Sequence, residues 1–244
     1  KMDADARPRL TKYSKLLAVT AGAALLAWLT LSVGIASVTR LRAPDVALSW
    51  RPGDSRAQSQ KAVEALARIR SRDDLLAAER LATSALSRDL TNVTALRGFA
   101  LATATRDPQK TPSLFNLAAR LSRRDLPTRL WLIEERVQAN DVPGAIRHYD
   151  IAMRTSNQAR ELLFPILIQA SEDGATASAL VQVLAENPNW AEQFLPQLYR
   201  EGPSPETLFA ITRGLTAAGV PPRWQLVSAL TDRILASKGY DLAW

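Results

Sequence analysis

Two kinds of apolar patterning divide this chain. From Leu16 to Val38, "LLAVTAGAALLAWLTLSVGIASV", apolar and small residues run without a charge. After about Ala43 the apolar positions recur instead at the three- and four-residue spacing of one helix face, and polar turns break the runs. The stretch "NDVPGAIRHYDIAMRTSNQA" is one such run, with Ala145, Ile146, Tyr149, Ile151 and Ala152 at helical spacing between two turns. Read in this way, the chain predicts helices over Arg56 to Ile69, Arg72 to Ser87, Thr91 to Ala104, Pro112 to Leu121, Pro127 to Ala139 and Val142 to Met153. Further helices follow over Ala159 to Ser171, Gly174 to Ala185, Trp190 to Tyr199, Pro205 to Ala218 and Arg223 to Ser237. Pro112, Pro127, Pro205 and Pro222 stand at or just before first turns, where proline is tolerated. Pro165 and Pro196 fall inside helices and are expected to kink them. Strand-like runs of Val, Ile and Thr are nearly absent while Ala and Leu dominate, so the expected fold class is all-α.

The run Leu16 to Val38, with Trp28 in its middle, is long enough as a helix to cross a hydrocarbon core of roughly 30 Å. Its competitors are a buried core helix, which would show more of a polar face, and a cleaved signal peptide, whose apolar region is usually shorter. A membrane anchor is the expectation, with the helix continuing toward about Leu48. The net charge of +7 gathers around this run. Lys1, Arg7, Arg9, Lys12 and Lys15 precede it against Asp3 and Asp5, and Arg40 and Arg42 follow it, leaving little excess beyond Ala43. That placement argues for a membrane flank and against nucleic acid. The basic residues before the span outnumber those just after it, which predicts a cytoplasmic tail over 1–15, a span over 16–39 and an external domain over 40–244. In a bacterium the outside is the periplasm, and the Ala-, Leu- and Arg-rich usage resembles a GC-rich bacterium.

Internal echoes recur about 34 residues apart, the distance that marks a two-helix repeat. Ala145 returns as Ala179, Ala152 is preceded by Ala118, and Pro188-Asn189-Trp190 is echoed by Pro222-Arg223-Trp224. Residues 140–159 resemble the second helix of a tetratricopeptide unit: a turn at Asn140-Asp141, small residues Ala145 and Ala152 at close approach, Tyr149 as the large groove-filler, and Ala179 in the next unit. The resemblance implies an α-solenoid of about five degenerate repeats. It departs from the family in never keeping the first-helix tryptophan and glycine together, and the spacing stretches to about 38 between Gln58 and Leu90. The last residues, "GYDLAW", look like the start of another second helix, so a C-terminal truncation is expected.

Chemistry-bearing constellations are few. There is no cysteine and one histidine, His148, so thiolate chemistry is excluded and no metal site or cofactor is expected. The pairs Asp73-Asp74, Glu134-Glu135 and Glu172-Asp173 are adjacent on helices, point about 100° apart and read as solvated faces or N-terminal turns. No phosphate loop and no nucleophile elbow is present, and an enzyme is not expected. The stretch "ARLSRRDLPTRLW" gathers Arg120, Arg123, Arg124 and Arg129 around one turn before Trp131, a candidate site for an acidic partner or anionic glycan. The resemblance places Trp131, Trp190 and Trp224 early in first helices, which line the concave groove of such solenoids, where they would anchor a peptide or stack on a sugar. The alternative is that they pack between repeats.

The basic N-terminus, the anchor, "ALSWRPGDSRA" after it and the degenerate repeats together resemble membrane-anchored tetratricopeptide proteins of alphaproteobacterial exopolysaccharide loci. That resemblance implies a scaffold holding other envelope proteins, such as polysaccharide polymerase or export subunits, at the inner membrane. An envelope-protein assembly factor or chaperone, and a carbohydrate-binding module, are the alternatives.

Overall fold

The computed structural model describes the backbone of residues 6–236 and the side chains of residues 20–235. The side chain of Leu16 and the expected helix start at Gly239 lie outside the described residues. Among the described residues there are thirteen helices and no strand: α1 (Ala6–Thr39), α2 (Pro44–Trp50), α3 (Ser55–Ala67), α4 (Arg72–Arg88), α5 (Val93–Thr103), α6 (Thr111–Leu121), α7 (Leu126–Gln138), α8 (Val142–Thr155), α9 (Asn157–Ala170), α10 (Gly174–Ala185), α11 (Ala191–Glu201), α12 (Pro205–Ala217) and α13 (Trp224–Ala236). The helices after α2 lie where the apolar period puts them, to within two residues at each end. The exception is the first helix, which does not continue toward Leu48. It stops at Thr39, and Pro44 opens a separate α2 from its first turn. Proline excludes the helical region for the residue before it, and Ala43 is accordingly non-helical at φ −144° and ψ 69°.

Most helix starts carry an oxygen cap. Asp54, Ser71, Asn92, Asp125, Asp141, Ser156, Asp173 and Ser204 each accept a backbone N–H of their own first turn. Several helix ends are closed by a left-handed residue: Asn140 after α7, Asn187 after α10 and Gly219 after α12 have φ of 56°, 51° and 80°.

The chain divides into two compact units, one ending at Thr111 and the other starting at Pro112. In the first, α3, α4 and α5 pack on one another through alanines: Ala57, Ala62, Ala78, Ala82, Ala85, Ala95 and Ala100 are fully buried. Gly98 lies where its own Cβ would sit 3.7 Å from the Cβ atoms of Ala62 and Ala82, so α5 comes close to both neighbours. α1 is long and apolar enough to cross a membrane, with a mean hydropathy of 1.8 over Thr20–Thr39.

In the second unit α8 packs on α7, α9 and α10, α10 on α12, α11 on α9 and α13, and α12 on α13. The core is larger-grained here, with Leu132, Met153, Leu163, Leu180, Phe194 and Leu208 fully enclosed. Ala145, Tyr149, Ala152 and Ala179 are all buried. Polar side-chain bonds join neighbouring helices at a steady sequence separation. Thr155 Oγ1 donates to the carbonyl of Arg123, 32 residues away. Arg154 reaches Glu186 at 32, Arg160 reaches Gln193 at 33, Ser204 reaches Glu172 at 32 and Arg233 reaches the carbonyl of Tyr199 at 34. The first unit has the same kind of bond between Asn92 and Ser59 at 33, together with a longer one between Asn92 and Ser55 at 37.

Candidate partner-binding surface

The arginine-rich turn separates into two kinds of residue. Arg120, Arg123 and Arg124 are exposed and make no ion pair among the described residues. Arg129, by contrast, is 5 % exposed. Its Nη2 donates to the carbonyl of Ala119 at 2.9 Å, closing the end of α6, and its Nη1 donates to His148 Nδ1 at 3.3 Å. The candidate role of Arg129 as an anion ligand is therefore corrected: its guanidinium is enclosed in the fold, with Nη1 and Nη2 bonded internally. The same device recurs. Arg160 Nε donates to the carbonyl of Met153 at the end of α8, and Arg233 donates to the carbonyls of Tyr199, Gly202 and Pro203 at the end of α11.

Donation from Arg129 makes Nδ1 of His148 the acceptor and leaves the ring proton on Nε2. Burial holds the imidazole neutral, and the guanidiniums of Arg129, Arg136 and Arg147 add to it, so its pKa falls to about 4. Desolvation likewise lowers the pKa of Arg129, with Arg123 nearby acting in the same direction.

The tryptophans also diverge. Trp190 is 1 % exposed, with rings of Phe164 and Phe194 at 6.3 and 5.4 Å. Its Nε1 donates to Asp150 Oδ1 at 2.8 Å, and Asp150 also accepts from Arg154. Trp190 thus has no face left for a sugar or a peptide, and its place among the binding candidates is corrected: Phe164 of α9, Phe194 of α11 and Asp150 of α8 enclose it. Trp131 is half-buried and lies flat on Phe115, with centroids 3.9 Å apart and planes at 5°. Trp224 is 73 % exposed.

Three of the adjacent carboxylates, Asp74, Glu172 and Asp173, have structural partners. Asp74 closes the capping box of α4, where the N–H groups of Arg70 and Ser71 hold its pKa below the ordinary carboxylate value. Glu172 accepts from the N–H and hydroxyl of Ser204, and Asp173 caps α10; both are held low by those bonds. No group of three or more metal-ligating side chains occurs among the described residues.

Two clefts open on the faces of α9 and α11. One of about 540 Å³ is bordered by Asn157, Arg160, Glu161, Pro165, Gln193 and Gln197. The other, about 550 Å³, includes Glu192, Leu195, Pro196, Pro222, Arg223 and Leu226. Pro165 and Pro196 lack the N–H that would bond four residues back, which leaves the carbonyls of Glu161 and Glu192 without their helical donors. Glu161 lines the first cleft and Glu192 the second. No family model, curated protein or solved structure matches this chain. The clefts, the exposed turn arginines and the exposed Trp224 are among the surfaces this unit offers a partner. Sequence reasoning missed the clefts, although the two interior prolines, 31 residues apart, were their visible signal.

Proposed function

We propose that the chain is a membrane-anchored helical-repeat scaffold, with α1 as anchor and the second unit as a tetratricopeptide-like solenoid that holds other envelope proteins. The observation that carries this reading is the ladder of polar bonds at separations of 31 to 34 residues, together with the next-but-one packing of α8 on α10, α10 on α12, α9 on α11 and α11 on α13. A two-helix unit with a period near 34 produces that pattern, and stacked units produce an extended face for a partner. The clefts along α9 and α11 support an extended peptide as the ligand, because Asn157, Arg160, Gln193 and Gln197 offer polar groups along the rim of one and Leu195, Pro196 and Leu226 offer apolar surface in the other. Burial of Trp190 and stacking of Trp131 on Phe115 count against a glycan as the main ligand.

The resemblance to anchored proteins of exopolysaccharide loci directs the reading to polysaccharide assembly or export, with the second unit on the periplasmic side. The test is co-purification of polymerase or export subunits with the full chain, alongside polymer secretion. Gln193→Arg together with Gln197→Arg, both at the cleft rim, is expected to lose both. Retention of both by that variant would count against the cleft as the holding surface.

A further inference from the structure

The two clefts of the second unit flank one ridge. The first lies between α9 and α11 and the second between α11 and α13, and α11 packs on both of these helices. Gln193 and Gln197, one turn apart, line the first cleft, and Glu192 and Pro196, also one turn apart, line the second. Glu192, Gln193 and Pro196 are exposed along the crest between them. Both pairs occupy the same stretch of α11, so the clefts lie level, and the line joining them runs across the helix rather than along it. Packed helices stand about 8–10 Å apart, which sets the distance from one cleft to the next.

That distance selects a ligand conformation. A chain crossing α11 from cleft to cleft must present the same side twice, about 8–10 Å apart. A β-strand returns to the same side after two residues, about 6.6 Å, and falls short, while four residues, about 13 Å, overshoot. A polyproline II helix returns after three residues of about 3.1 Å each, or about 9.3 Å. The chemistry of the walls agrees. Polyproline II makes no internal hydrogen bonds, so its carbonyls need donors, and proline brings no N–H of its own. The first cleft supplies donors: the carboxamides of Asn157 and Gln197, and the amide N–H groups of Gln193, whose Oε1 already accepts from Arg160 Nη1 at 3.2 Å. The second is apolar within, lined by Leu184, Leu195, Leu215 and Leu226, and carries the Glu192–Arg223 pair at 2.9 Å. Each cleft holds one acid and one base, Glu161 with Arg160 and Glu192 with Arg223, so neither selects a charged residue. Trp224 stands between two wall residues of the second cleft, Arg223 and Gln225, and is 73 % exposed, a ring on which proline can pack.

We propose that the partner segment is proline-rich and crosses α9, α11 and α13 as a polyproline II helix, with a bulky apolar side chain in the second cleft and, three residues away, a polar one in the first. This rests on the reading of the face of α9 and α11 as the holding surface. The probes are fluorescein-labelled proline peptides that carry one glutamine and one leucine, in either order, and fluorescence anisotropy with the full chain in micelles reads their binding. With a three-residue spacing, one of the two orders is expected to bind about tenfold tighter than the same composition with a two-residue spacing. Trp224→Ala, which removes an exposed ring and nothing from the core, is expected to weaken that peptide several-fold. Gln193→Arg with Gln197→Arg is expected to abolish its binding, with the helical circular dichroism of each variant unchanged. Equal binding at both spacings, tighter binding at two residues, or no binding in either order overturns the polyproline ligand. If the subunits that co-purify with the full chain are still lost from the Gln193→Arg, Gln197→Arg variant, the holding face stands without that ligand. If the variant keeps them, the face falls with it.

Discussion

The neutral imidazole of His148 makes stability depend on pH in a defined window. Its pKa is about 4 in the fold, below the ordinary value near 6.5 that an unfolded chain would show. The unfolded state therefore takes up the proton first as pH falls. The contribution is fully present above about pH 7, declines as pH passes through 6.5 and is lost below 4. The displacement corresponds to at most about 3 kcal/mol, and an imidazole that keeps some solvent contact will deliver about half of it, or about 1–2 kcal/mol between pH 7 and pH 5. The carboxylates held low by their bonds, Glu79, Asp74, Glu172 and Asp173, lose stability only at lower pH, so the window from 5 to 7 isolates the histidine. His148 is the only histidine, so a sample labelled with carbon-13 histidine in micelles gives one titrating signal. Urea midpoints of the full chain at pH 7 and pH 5 give the energy. His148→Asn, which keeps an acceptor for Arg129 but cannot titrate, is expected to abolish the step. A signal titrating near 6.5, or an equal pH step in the variant, would refute the account of a desolvated imidazole facing guanidiniums.

Three further outcomes follow from the packing. Asn92→Ala removes the cap of α5 and the buried bonds to Ser55 and Ser59, and is expected to lower stability by about 2 kcal/mol in urea unfolding. Arg233→Met leaves the carbonyls of Tyr199, Gly202 and Pro203 without their donor, and hydrogen exchange is expected to speed up at the end of α11 while α8 stays protected. Trp190→Phe keeps the aromatic cluster but strips Asp150 of its indole donor, costing about 1–2 kcal/mol; an unchanged melting temperature would remove the bond's importance.

The apolar period was enough to place the helices because each buries one face, and a helix face repeats in sequence. What periodicity could not separate was a tryptophan that lines a surface from one that fills a core: Trp131, Trp190 and Trp224 sit at similar positions in their runs, and only the partners Asp150, Phe164 and Phe194 decide for Trp190. Arg129 was misread because a cluster of arginines on one turn gives no hint of which reaches back to a carbonyl. Trp28 was read as a mid-span residue of the anchor, and its contact with Trp50 was not foreseen because Trp50 comes from a helix that lies beyond the expected single helix. Pro44 was the available sign of that break.

The central claim is that the cleft-bearing face of α9 and α11 holds partner proteins. Photo-crosslinkers at Gln197 on that face and at Ser178, which borders a groove between α10 and α12, compare the two surfaces in native membranes. The account predicts capture of a discrete set of envelope proteins, polysaccharide polymerase or export subunits among them, from Gln197 and not from Ser178. Equal capture from both positions, or none from Gln197, would contradict it.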